Sequence, residues 1–446
     1  MTSPLVGQAG PAVDRKYLRR VTIAAAVGST IEWYDYALYG AASAVVIGPL
    51  FFPNVSPGAS QLLSFATFAV GFIARPFGGI AIGWVGDRFG RKSTLIVTVV
   101  LMGVVSALMG VLPTYSSIGI AAPIILVVLR LIQGLGTGAE FAGALTYLAE
   151  SAEEGKRAYR ASFISSSGIA GTFFSTGLIA ILTAVTTHAV FLGWVWRIPF
   201  LLSAVLVIPA VIIRARIQES PEFLKLERNA VQHKAPRIPV VDMLHNDFRG
   251  FISVLLSSWT VSVVGYLITV FSVSYVIHTL KMPTTMSLLI ALFATGVSMV
   301  VAPFWGILSD GIGAKKVMIL GTLFAVAFAY PYFALLDTRN VVLVVIAAIV
   351  FYAVAWGMPA GAQGNFYPSL FKTRYRFTGV AAGREIGSAV VAGPSPLIAA
   401  ALVNASGGQP WLVPVFIIVV AGLSLIGILL GQPRDIADQS LNSPQG

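Results

Sequence analysis

The chain of 446 residues contains no cysteine. Disulfides, thiolate nucleophiles and cysteine metal sites are therefore excluded. Histidine is scarce. The four present, His188, His233, His245 and His278, fall in loops or at the end of an apolar run. That scatter offers no metal cluster and no nucleophile–base constellation, so neither an enzyme, a metal nor a cofactor is expected. Charge is scarce as well, at 11% of residues. A soluble globular protein carries roughly 25%, so this chain lacks the means to cover itself with a polar surface. A secretory signal is not expected, because the first apolar run is long and has no small-residue cleavage site after Arg19 and Arg20.

What is present is apolar sequence, 57% of the chain. A helix needs about 20 apolar residues to cross a bilayer. Twelve runs of that kind can be placed, at about 21–48, 60–85, 93–112, 118–147, 161–186, 195–213, 250–279, 284–308, 316–335, 341–365, 377–402 and 411–431. Strands of a membrane barrel would instead alternate over about 10 residues. An all-α membrane protein with twelve transmembrane helices is therefore expected. The net charge of +11 is distributed by loop. Arg15, Lys16, Arg19, Arg20, Arg88, Arg91, Lys92, Lys156, Arg157, Arg160, Lys315, Lys316, Lys372, Arg374 and Arg376 all fall on the side of the termini, while the opposite loops hold only Lys281 and Arg339. Basic loops stay in the cytoplasm, so both termini are expected there. The positive charge is a topology signal, and no nucleic-acid partner is expected.

A glycine-rich charged turn, Gly83-Trp84-Val85-Gly86-Asp87-Arg88-Phe89-Gly90-Arg91-Lys92, separates the second and third runs. A second copy, Gly306-Ile307-Leu308-Ser309-Asp310-Gly311-Ile312-Gly313-Ala314-Lys315, stands half a chain length further on. The chain thus reads as two tandem halves. The expected organisation is a segment 1–20, a bundle 21–213, a linker 214–249, a bundle 250–431 and a tail 432–446. The linker carries Glu219-Ser220-Pro221-Glu222-Phe223, whose proline suits the first turn of a surface helix.

Two six-helix halves with this turn repeated after spans two and eight resemble the major facilitator superfamily. Further words narrow the likeness: Ile31-Glu32-Trp33-Tyr34-Asp35-Tyr36, Phe72-Ile73-Ala74-Arg75-Pro76-Phe77-Gly78-Gly79, Arg130-Leu131-Ile132-Gln133-Gly134, Trp196-Arg197-Ile198-Pro199-Phe200 and the Glu219–Phe223 word. Together they are similar to the metabolite:proton symporters, whose members carry shikimate, α-ketoglutarate, citrate, or proline and betaine. The resemblance implies two pseudo-symmetric six-helix bundles working by alternating access. One departure is Gly138-Ala139-Glu140-Phe141-Ala142-Gly143-Ala144, where the family tends to read Gly-Gly-Glu-Trp-Gly-Gly-Ala.

A charge at the bilayer centre costs roughly 2.5–3.5 kcal/mol and needs a partner or a task. Glu32 and Asp35 in span one and Arg130 in span four reach similar depth, so either acid can pair with Arg130. The resemblance adds that a span-one acid and a span-four arginine form a proton-sensitive pair in related sugar porters, at positions matching Asp35 and Arg130. Proton coupling is therefore expected at Asp35, Glu32 and Arg130, with the choice between the acids open. Arg75 can pair with Glu140 or the charged turn, or reach the cavity and bind a carboxylate through its fork. Substrate contacts are expected among Arg130, Arg75, Tyr36, Tyr39, Gln133, Arg384, Tyr266 and Gln363. Arg384 and Glu385 are neighbours about 100° apart on a helix and are not expected to face each other. A cytoplasmic gate is expected from Gly83, Asp87, Arg88, Gly90 and Arg91 of the first turn and Asp310 of the second, with Glu150, Arg157 and Arg376. Its mechanism would be a carboxylate capping a neighbouring helix only while that side is closed.

The expected function is proton-coupled import of a small organic acid across a bacterial-type cytoplasmic membrane. The partners are substrate, protons and lipid, and the chain is expected to act as a monomer. A zwitterionic osmolyte symporter and a drug/proton antiporter are the alternatives.

Overall fold

A computed structural model describes residues 15–89, 91–137, 145, 148, 152, 155–215, 239–372 and 376–434. Its long helices, in chain order, are α1 (Arg15–Val45), α2 (Pro57–Phe89), α3 (Arg91–Val111), α4 (Ala121–Gly136), α5 (Arg157–Val185) and α6 (Arg197–Ala215) in the first half. The second half gives α7 (Phe248–His278), α8 (Thr284–Ile312), α9 (Ala314–Asp337), α10 (Val341–Ser369), α11 (Arg376–Ala405) and α12 (Leu412–Leu430). Among the described residues, 8 helices are long and apolar enough to cross a bilayer, and α6 with the short helix before it makes a ninth, bent by 41°. The helix α1 has the length, 31 residues, but Glu32 and Asp35 interrupt its apolar sequence. With α3 and α4, which are apolar but shorter as described, the count is the twelve expected. The chain is a multi-pass membrane protein.

Within the first half α1 packs on α5, α2 on α4 and α3 on α6; within the second α7 packs on α11 and α12, and α9 on α10 and α12. Close backbone approach at α2–α4 depends on glycine. A Cβ on Gly134 would lie 2.1 Å from the Gly71 carbonyl, and one on Gly78 2.2 Å from that of Leu135. Small residues let membrane helices pack where no hydrophobic drive separates helix from lipid.

The halves meet mainly along two seams, with a smaller contact of α1 on α7. One is α5 against α8 and α10, the other α2 against α11. Exchanging the halves exchanges α5 with α11 and α2 with α8, so the seams are images of each other. A short helix, Pro239–Asn246, precedes α7. Asp247 between them ties the end of the linker to the last described residue, accepting from Arg434 at 3.0 Å and from the Lys372 amide at 3.2 Å. The helix expected at Glu219–Phe223 lies outside the described residues.

Candidate functional site

A cavity of about 50 Å³ lies between the halves. The first half supplies Trp33 and Ala37 from α1, Phe68 and Arg75 from α2, and Ser165, Gly168, Ile169 and Thr172 from α5. The second half supplies Val261, Ser262, Gly265, Tyr266, Thr269 and Val270 from α7, Tyr352, Trp356 and Gln363 from α10, and Arg384 and Ser388 from α11. Three of these helices open into a π-helical turn beside the cavity, at Leu267–Phe271, Tyr352–Trp356 and Ser388–Ala392. Such turns insert an extra residue and re-aim side chains, and they are frequent at functional sites. Each one here contributes to the lining: Thr269 and Val270, Tyr352 and Trp356, and Ser388.

Six buried charges organise the centre: Glu32, Asp35 and Glu385 against Arg75, Arg130 and Arg384, none more than 7% exposed. Four of them form one chain that crosses between the halves. The Arg75 Nε lies 2.7 Å from Glu385 Oε2, and its Nη2 lies 3.6 Å from Glu32 Oε1. The other oxygen of Glu385 accepts a hydrogen bond of 2.9 Å from Arg384 Nη1. The Arg75 guanidinium also sits over the rings of Tyr36 and Phe72, at 4.8 and 5.4 Å. For these four charges the cost of burial is offset by an opposite partner.

This corrects two expectations. Glu32 pairs with Arg75 rather than with Arg130. Arg384 and Glu385 do meet, because the arginine stem has enough torsions to wrap back across the 100° between sequence neighbours.

The Asp35–Arg130 pairing is not formed either. Arg130 donates to the Gln133 side chain and to the Phe68 carbonyl at 3.2 Å, and lies over the Tyr39 ring at 3.9 Å. Among the described residues it makes no ion pair. Gln133 passes the chain on to Ser106 at 2.8 Å, and Tyr39 donates to Thr67 at 2.7 Å. Asp35 faces Ser106 and Ser203 and feels the Arg130 charge, while its oxygens make no hydrogen bond among the described residues. Arg130, Gln133, Tyr36 and Tyr39 thus pack inside the first half, behind the cavity wall. Of the expected substrate contacts the structure brings Arg75, Arg384, Tyr266 and Gln363 to the cavity, and these other four it does not. The reason is angular. Trp33 and Ala37, four apart, share the cavity face of α1, whereas Asp35 is two residues from each and turned about 200° away.

Contacts between the halves flank the cavity toward both ends. Toward the end of the bundle bearing the termini, Gln363 donates to Ser165 at 3.0 Å, Ser165 donates to the Ala360 carbonyl at 2.8 Å, and a Cβ on Gly364 would lie 2.2 Å from that of Ala161. Nearer that end, the Asp310 carboxylate of α8 caps α5, accepting from the amides of Ala158 and Tyr159, both at 2.9 Å. Arg157 lies within electrostatic reach of this cap. Arg376 donates to the Pro368 carbonyl at 3.1 Å. Gly83, Asp87, Arg88 and Arg91 belong to helical backbone whose side chains lie outside the described residues, as do Gly90, Glu140 and Glu150 altogether. Toward the opposite end, Phe68 and Phe72 of α2 meet Tyr266 of α7 edge-on at 5.5 and 5.2 Å. Gln61 donates to Ser274 at 2.5 Å, and His278 Nε2 lies 3.2 Å from the Ala44 carbonyl.

Sequence reasoning passed over Trp33, Phe68, Ser165, Thr172, Thr269 and Tyr352 as lining residues. The four-residue spacing of Trp33 and Ala37 was available as a signal. The π-helical turns that expose Thr269 and Tyr352 have no counterpart in the apolar pattern.

Comparison with known proteins agrees with this architecture. The family model for the Major Facilitator Superfamily matches residues 23–392. The shikimate transporter of Escherichia coli strain K12 is 36% identical over 412 residues, 92% of this chain and 94% of that protein. The inner membrane metabolite transport protein YhjE of the same organism is 35% identical, covering 92% and 93%. A proline/betaine transporter of Salmonella typhimurium is 31% identical, covering 94% and 84%. Among solved structures, a partially occluded inward-open form of the xylose transporter XylE from E. coli superposes with a TM-score of 0.72 at 17% identity, over 93% of this chain and 97% of that one. A crystal structure of D-xylose-proton symporter gives 0.70 at 20%, over 95% and 99%. A twelve-helix chain in two packed halves around a central charged cavity, matched by this family model over most of its length, is a transporter and not an enzyme: it belongs to the major facilitator superfamily, among the metabolite:proton symporters.

Proposed function

We propose that this chain imports a small organic acid together with a proton, in a bacterial-type cytoplasmic membrane, by alternating access. The observation that carries the reading is the pair of cavity-lining guanidiniums, Arg75 from one half and Arg384 from the other. Guanidinium forks bind carboxylates bidentately. Around them stand the hydroxyls of Ser165, Thr172, Ser262, Thr269 and Ser388 and the amide of Gln363, donors and acceptors suited to a hydroxylated acid. Because the two arginines belong to different halves, a carboxylate held by both joins the halves around itself. A buried acid, Glu32, Asp35 or Glu385, takes the proton. The bundles 21–213 and 250–431 then rock about the seams as bodies. Asp310 and the turn containing Asp87 hold the cytoplasmic side, where both termini lie, and the protein works as a monomer without nucleic acid.

A second reading has its own observation. The cavity presents the aromatic faces of Trp33, Phe68, Tyr352 and Trp356 beside the arginines. Such faces attract quaternary ammonium groups, so a betaine-like zwitterion would fit with its carboxylate on an arginine and its cation on the rings. Uptake into proteoliposomes under an imposed inward proton gradient separates these readings. Accumulation of hydroxylated carboxylates, abolished by a protonophore, supports the first. Accumulation of betaine or proline alone supports the second. Uptake of neither refutes both.

A further inference from the structure

The proton-carrying acid is open in the reading above, and the central ion-pair chain discriminates among the three. Glu385 is the acid that touches both cavity arginines. One carboxylate oxygen is 2.7 Å from Arg75 and the other 2.9 Å from Arg384. Glu32 meets Arg75 at 3.6 Å. Asp35 faces Ser106, Ser203 and the Arg130 charge. Glu385 thus occupies the two guanidiniums in the way a bound carboxylate would, and it stands just behind the wall that Arg75 and Arg384 line.

We infer that Glu385 is a built-in substitute for the substrate carboxylate: it holds Arg75 and Arg384 when the closed carrier is empty, and releases them to the substrate when it takes up the transported proton. This rests on the carboxylate-symport reading of the cavity. The charge balance explains the coupling. In the empty carrier Glu32 and Glu385 neutralise Arg75 and Arg384. A proton on a Glu385 oxygen breaks both of its ion pairs and leaves the set one positive charge in excess. A monocarboxylate arriving on the two guanidiniums restores neutrality, and Glu32 continues to balance Arg75. Empty and fully loaded carriers are both neutral and close. A carrier with the proton alone, or with the anion alone, buries an unpaired charge and is held from closing. Slippage in either direction is thereby suppressed. The location matters as well. Arg75 is on α2 and Glu385 on α11, so this bond crosses a seam between the halves, and every exchange of partner is felt by the rocking motion.

The groups facing Glu385 from the elements packed around it are Arg75 of α2, Glu32 of α1 through that arginine, and Tyr266 of α7, with Arg384 on its own helix. Tyr367 of α10 lies within reach of Arg384. None of these replaces Glu385 as an acid that bridges the two guanidiniums.

The test uses the purified full chain in weakly buffered detergent solution with a pH-indicating dye, titrated with a hydroxylated monocarboxylate that the wild type transports. Wild type is expected to take up close to one proton per carboxylate bound. Glu385→Gln, which keeps the shape and removes the titration, is expected to bind the carboxylate with an affinity that no longer depends on pH and with no proton uptake. In proteoliposomes it is expected to exchange labelled for unlabelled substrate but fail to concentrate it. Proton uptake as large as in wild type, or uphill accumulation, in Glu385→Gln would overturn the inference and move the proton to Glu32 or Asp35. Should Glu385→Gln not bind, Glu385→Asp decides. Restored proton uptake with a shifted pH profile upholds the inference, and an unchanged profile overturns it. Failure of wild type to bind or accumulate any carboxylate would refute the transport reading itself, a separate outcome.

Discussion

The Asp310 cap lends itself to a quantitative test. Its carboxylate accepts two backbone amides of α5, each at 2.9 Å, across a seam between the halves. A hydrogen bond to a charged group contributes roughly 1.5–3 kcal/mol, and loss of a helix cap costs about 0.5–2 kcal/mol. The two figures describe the same interaction and do not add. Asp310 is half-buried, so solvent screens part of the charge, and about 2 kcal/mol is a fair working value for Asp310→Ala. If the cap exists only while this side is closed, the closed-to-open ratio falls about 30-fold. Asp310→Asn keeps one acceptor and loses the charge, for about 1 kcal/mol and a fivefold change. The assay exploits the absence of cysteine: a single Thr172→Cys in the cavity wall needs no cleared background. A membrane-impermeant maleimide applied from the side of the termini should label this position in the order Asp310→Ala, Asp310→Asn, unsubstituted, fastest first. Equal rates in all three would refute the gate and leave Asp310 a solvated residue with a local structural role.

Other substitutions separate substrate contact from scaffold. Arg75→Lys keeps the charge but loses the fork, and should raise KM for a carboxylate about tenfold, for roughly 1.5 kcal/mol of lost hydrogen bonding; an unchanged KM would remove Arg75 from the binding site. Arg130→Lys abandons the Gln133 and Phe68 bonds and the Tyr39 ring in a fully buried setting. It should lower the melting temperature in detergent, with a loss of about 2–3 kcal/mol, while KM of the folded fraction stays near wild type. A normal melt with a raised KM would return Arg130 to the cavity. Gly364→Val forces α5 and α10 apart where a Cβ already lies 2.2 Å from Ala161, so it should slow turnover and speed Thr172→Cys labelling from the side of the termini. Wild-type rates there would mean the helices do not close at this point during transport.

The fold was legible because lipid imposes a simple rule on sequence. Apolar run lengths foretold helix ends within a few residues, as with the expected 284–308 against Thr284–Ile312 and 411–431 against Leu412–Leu430. Depth was legible too: counting residues along each run put Glu32, Asp35 and Arg130 at a similar depth, and all three are buried. Azimuth was not. Asp35 and Arg130 share a depth, yet they sit behind the wall rather than on it, since a turn of 100° per residue makes the cavity face depend on how helices rotate when they pack. Glu385 illustrates the same limit. Its pairing with Arg75 depends on α2 and α11 meeting across the two halves, a contact between residues far apart in sequence. The π-helical turns of α7, α10 and α11 shift register inside runs whose hydropathy is uniform, so nothing in the residue pattern announces Thr269 or Ser388 as cavity residues.

The central claim is that a carboxylate and a proton cross together. Its most direct test is the proton movement driven by substrate alone. Proteoliposomes with a pH-sensitive dye inside, equal pH on both sides and the membrane potential clamped by potassium and valinomycin, receive an inward gradient of an accepted hydroxylated carboxylate. Symport predicts acidification of the interior in step with labelled substrate entry, and abolition of both by Arg75→Ala. Entry of the acid with an unchanged or alkaline interior would contradict the account.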